Sequence, residues 1–105
     1  MLACAPSGPA QEGYNKCKDH LRNHLLVPTS LKVTSAYCYK GIVTKAMGWP
    51  YEYKICYSYE TGGGLRLNDI EYYAYNDELG QIKHNSDATE FENARNAGEE
   101  QKIKA

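Results

Sequence analysis

The chain has 105 residues, a formal net charge of −1 and 42% hydrophobic residues, a size that allows one domain with a thin core. Its 12 Lys+Arg are scattered and matched by 13 Asp+Glu, so nucleic acid is excluded as the main partner, because neutralising phosphates takes clustered cations. No apolar run approaches the roughly 18 residues that span a bilayer as a helix, and membrane contact is expected only through an attached lipid.

Leu, Ile, Val and Phe number only 17, under the roughly 20% of composition below which disorder is suspected. Two features oppose that reading. Self-repulsion is weak, and ten tyrosines supply large rings that bury much area apiece. The expectation is a folded domain whose core leans on tyrosine.

Residues 1–13, rich in Pro, Gly, Ser and Ala, read as a flexible tether. No charged region and long apolar run stand ahead of Cys4, so no secretory signal is read there. From residue 14 to 27, Tyr14, Cys17, Leu21 and Leu25 fall at three- and four-residue spacing, which predicts a helix. Pro28 stops it by removing a backbone donor and restricting Val27. A first strand follows over residues 31–39, with Leu31, Val33, Tyr37 and Tyr39 on one face and Lys32 and Thr34 on the other.

Residues 40–50 form a connection in which Ile42-Val43-Thr44 extends the strand and Trp49-Pro50 packs the loop down. Tyr51, Tyr53, Ile55, Tyr57 and Tyr59 then alternate with Glu52, Lys54 and Ser58, the pattern of a half-buried strand. Gly62-Gly63-Gly64 reads as the turn of a hairpin. In the third strand, Leu65 and Leu67 sit in odd register and Ile70, Tyr72 and Ala74 in even. A bulge near Asn68-Asp69 would reconcile them. Residues 77–80 turn the chain and 81–83 resume the strand. Asp87 and Glu90 have capping-box-like spacing ahead of a short helix over 88–97, with Gly98 as its stop. The charged tail, residues 98–105, reads as loose. The fold expected is α+β, with an N-terminal helix packed on a three- to four-stranded antiparallel sheet, a short C-terminal helix, and residues 14–97 as the single domain.

Chemistry is sparse. His20 and His24 have the spacing of a two-histidine metal half-site, but no third ligand is evident and the Arg22 cation lies between them. They read as a solvated helix flank, His84 stands alone, and no metal or cofactor is expected. No Ser or Cys sits in a Gly-x-Ser-x-Gly elbow, the glycine tract lacks the Lys-Ser/Thr of a phosphate loop, and Glu99-Glu100 fall in the tail. The tyrosine row carries two readings, core or protein-binding face. Tyr57 is expected beneath the helix. Tyr51, Tyr53 and Tyr59, with Trp49, are the candidate binding residues, and Tyr51 beside Pro50 is the one expected to be nearly free to change.

Leu2-Ala3-Cys4, followed by the Pro/Ser/Gly/Ala tract, resembles the cleavage site and tether of a bacterial lipoprotein, in which the cysteine carries the lipid. Cys17-Lys18, Leu25, Pro28 and Ser30, then Cys56 ahead of Gly62-Gly63, resemble a family of small bacterial envelope domains of unassigned function, although the Asn-x-Phe-Gly-Gly turn of that family is lacking. The resemblance implies a helix-plus-sheet fold, an envelope location and a Cys17–Cys56 disulfide. Strand parity instead favours Cys38–Cys56, and four free thiols in a reducing compartment is the third option. The function expected is a non-catalytic, lipid-anchored envelope domain on the periplasmic side that binds another envelope protein or has a structural role. The alternative is a periplasmic inhibitor or immunity-type protein that blocks a secreted enzyme with the 46–50 loop, and a small hydrolase is the third class.

Overall fold

The computed structural model describes residues 8–105. Helix α1 (Pro9–Asn23) starts five residues before the sequence pattern suggests, because Pro9 fits the first turn, where its missing N–H costs nothing. The tether expected over residues 1–13 is therefore helical from Pro9 onward. A 3-10 turn (Pro28–Ser30) leads into β1 (Lys32–Gly41). The Ile42-Val43-Thr44 run then coils into α2 (Ile42–Ala46) instead of prolonging the strand. The remaining elements are β2 (Tyr51–Glu60), β3 (Arg66–Asn76), β4 (Gln81–Asn85), α3 (Thr89–Asn96) and β5 (Gly98–Gln101).

The fold is α+β, and its antiparallel sheet has five strands in the order β4-β3-β2-β1-β5, more than the three or four expected. The extra strand comes from the tail. Residues 98–101 pair with Cys38, Tyr39, Lys40 and Gly41 of β1. Their charged side chains give no alternation, and the pairing is a backbone matter. Between β2 and β3 the Thr61 N–H donates to the Leu65 carbonyl at 2.8 Å. Only Gly64 of the glycine tract needs positive φ, at 87°.

β3 runs in unbroken register with β2, so the bulge expected at Asn68-Asp69 is absent there. It lies in β1 instead, between Val33 and Ser35, where the Thr34 hydroxyl donates to the Cys56 carbonyl at 3.0 Å. One inserted residue reverses the parity of everything after it. Cys38 thereby stands opposite Tyr53, on the face that α1 covers, while Cys56 stays on the other.

The core lies between α1 and the odd-numbered face of β2. Tyr14, Cys17 and Leu21 of the helix pack against Cys38, Tyr51, Tyr53, Ile55, Tyr57, Tyr73 and Tyr75. Close approach is possible because Gly13 faces the sheet, where any Cβ would collide with the Tyr53 hydroxyl and the Tyr75 ring. The freed phenols find partners on the helix backbone and flank. Tyr53 donates to the Ala10 carbonyl and Tyr75 to the Glu12 carboxylate, both at 2.8 Å. On the opposite face α3 covers one end of the sheet, with Phe91 edge-on to Tyr39 and tilted over Tyr72.

Candidate functional site

Tyr51 and Tyr53, expected as exposed binding residues, lie in the core at 4% and 0% exposure. Tyr51 is enclosed because its ring packs beside Tyr75 and the Lys40 ammonium sits 5.7 Å over its centroid. A partner cannot reach either ring in this fold. Tyr57 is buried as expected, and its hydroxyl lies 3.4 Å from Glu71. Tyr59 is half-buried at the end of the row, stacked obliquely on Tyr57. Trp49 is also half-buried, just before the opposite end of β2, with the Lys83 ammonium 4.9 Å over its ring. The four residues do not form one surface.

The cysteines also separate. Cys4 lies outside the described residues. Cys17, Cys38 and Cys56 are free thiols, so neither the Cys17–Cys56 nor the Cys38–Cys56 bridge is formed. Alternation along β2 puts Cys56 on the face away from Cys17, and the bulge moves Cys38 to the Cys17 side, so both pairings would have to cross the sheet. Burial pushes the Cys38 thiol up to about 12 and Cys17 higher still, with the neighbouring Cys38 adding to the effect on Cys17. Both stay protonated at neutral pH and are poor nucleophiles.

Sequence reasoning missed two groupings. The first is a histidine cluster. His20 of α1 and His24, the residue just past its C-terminal end, stack with centroids 4.1 Å apart, and His84 of β4 comes within 6.0 Å of His20. Tyr73 joins them, stacked on His84 at 4.7 Å and hydrogen-bonded to His20 Nδ1 at 3.0 Å. Counting back through the 77–80 turn would have placed His84 opposite Tyr73, as it is found. The second is Glu52, fully buried on the face that α3 covers. Burial and the nearby Glu90 raise its carboxyl to about 8, against the opposing pull of Lys83 and a 3.2 Å hydrogen bond from Asn85. Its second oxygen has no partner among the described residues.

Two stretches of edge backbone are unpaired among the described residues, 32–37 of β1 beyond β5 and a second on β3 that exposed apolar side chains flank. β4 pairs only with residues 72–76, so β3 extends past it by the six residues from 66 to 71. No strand among the described residues covers the outer side of that segment. Leu65, Leu67 and Ile70 are exposed along it. The Asp69 carboxylate accepts from the Ile70 amide at 2.8 Å, which shows that the Ile70 N–H points outward and caps it. By strand alternation the backbone groups of Asn68 and Arg66 point outward as well. A second apolar exposure lies on the turn around α2, where Ile42, Val43 and Met47 project. Among the described residues no helix is long and apolar enough to cross a membrane. Comparison with protein-family models, curated proteins and solved structures gives no match for this chain.

Proposed function

We propose that this chain is a non-catalytic domain of the bacterial cell envelope, anchored by a lipid on Cys4, that binds another protein along the open outer edge of β3. The observation that carries the reading is the six-residue overhang, with its outward backbone groups and its flanking Leu65, Leu67 and Ile70. An extended segment laid there would continue the ladder, with main-chain hydrogen bonds giving affinity and apolar side chains giving register. Natural proteins blunt such edges against indiscriminate pairing. Here the Asp69 cap on Ile70 does so, and it selects a partner strand with a Lys or Arg opposite Asp69. The envelope location is supported by Leu2-Ala3-Cys4 alone. Raised thiol pKa values at Cys17 and Cys38 favour a binding role over cysteine chemistry.

The inhibitor or immunity-type reading is favoured by one observation, the projection of Ile42 and Met47 at 73% and 62% exposure. Photo-crosslinking in bacteria that express the full-length gene separates the two. A photoreactive residue at Leu67 or Ile70 is expected to give a discrete adduct in the membrane fraction, and Cys4→Ser should release that adduct to the soluble fraction. Asn68→Pro removes an outward amide while sparing the inward ladder, so it should abolish the adduct and leave the fold intact. Adducts at Met47 alone would transfer the function to the α2 turn. No adduct at any of the three positions would overturn both readings.

A further inference from the structure

We propose that His20, His24 and His84 form a binding site for a divalent transition-metal ion of the borderline class, such as Zn2+, Ni2+ or Cu2+. Two of the three ligands come from the last turn of α1 and its C-terminal cap, at the four-residue spacing that suits a shared metal. The third arrives from β4, because the hairpin register sets His84 beside Tyr73 and α1 crosses over that pair.

Each ring has one nitrogen held by the protein and the other unengaged. The His24 Nδ1 lies 2.7 Å from the His20 carbonyl, which can only accept, so Nδ1 carries the proton and Nε2 the lone pair. The His84 Nε2 donates to the Glu71 carboxylate, which leaves Nδ1 as its lone-pair atom. The Tyr73 hydroxyl can accept from His20 Nδ1, which frees Nε2 there. A carbonyl, a carboxylate and a phenol behind three imidazoles is the supporting arrangement that orients histidine ligands in metal sites. Arg22, the cation that would oppose a dication, is drawn aside to Asp19 at 2.8 Å.

Among the described residues no three such side chains already enclose a metal position. Closure therefore takes rotation of the exposed His24 and His84 rings, at the expense of their stacking.

The test is calorimetric titration of the untagged full-length chain with Ni2+ at neutral pH, in a Cys4→Ser, Cys56→Ser background that removes the thiols open to metal. One equivalent is expected to bind. His84→Ala should weaken binding by more than Glu71→Gln, which should itself cost about tenfold or more. His24→Ala should weaken it as strongly as His84→Ala, and circular dichroism of each variant confirms the fold. Loss with His24→Ala but none with His84→Ala would reduce the site to a helix half-site and overturn the proposal. So would binding that ignores all three substitutions.

Discussion

Tyr51→Ala and Tyr57→Ala should each lower stability by roughly 3–5 kcal/mol, the cost of removing a large aromatic from a packed core. Both rings are only 4% exposed, Tyr51 at the start of the β2 row and Tyr57 next to its last ring, Tyr59. The sequence pattern suggests a split, with Tyr51 nearly neutral beside Pro50. The structure removes the reason for it, because the Tyr75 ring and the Lys40 ammonium lie against Tyr51. Urea melts of the two single mutants measure the effect. A change within about 0.5 kcal/mol for Tyr51→Ala, typical of surface sites, would mean that this end of the row is open in solution and would restore it as a binding candidate. Tyr51→Phe is the control, since it keeps the ring and isolates the hydroxyl.

Glu52→Gln should stabilise the domain at neutral pH and flatten its pH dependence. The folded carboxyl ionises near 8, while its ordinary value is 4.5. A raised folded value means that the native state holds a proton that the unfolded chain releases. Stability is then greatest below about 4.5, falls as pH rises, and levels off above about 8. At neutral pH the penalty amounts to roughly 3 kcal/mol. The amide keeps the hydrogen-bonding shape without the titration and can still accept from Asn85. Urea melts of both proteins at several pH values across that window provide the measurement. His20, whose lowered pKa contributes a slope of opposite sign, is common to both proteins and cancels in the difference. Equal slopes in parent and variant would show that Glu52 is already ionised in the folded state.

The parts of the fold that were legible in the sequence are those where side chains report burial. The tyrosine alternation in β2 marks its covered face, and Asp87 with Glu90 marks the start of α3 within two residues. Where backbone alone decides, the sequence is silent. Gly98, Glu99, Glu100 and Gln101 form an edge strand with no apolar face to announce it. The bulge at Thr34 shows itself only when the partner strand is in place, and with it the parity that brings Cys38 to the α1 face. β3 carries apolar residues on both faces over its first half because both faces are exposed there, so its mixed parity did not signal a bulge. The candidate sites follow the same division. His20 and His24 share a helix face by spacing, but the partner ring from β4 depends on tertiary register. Burial of Glu52 has no local signature, since a glutamate alternating with tyrosines reads as solvent-facing.

The strand order carries a kinetic consequence. Four of the five strands, β1 to β4, are neighbours in space in the order in which they occur in the chain. Their closures are short and local, which favours rapid assembly. β5 alone must return across the whole meander to reach β1, so its loop closure is the most expensive in entropy and comes late. Amide exchange should therefore show the β1–β5 ladder opening on its own, well before the β2–β3 ladder, as a separate cooperative unit. Protection lost at a single common rate throughout the sheet would contradict this hierarchy. The last strand to form is thus the first to yield, and the meander of the other four keeps its register without it.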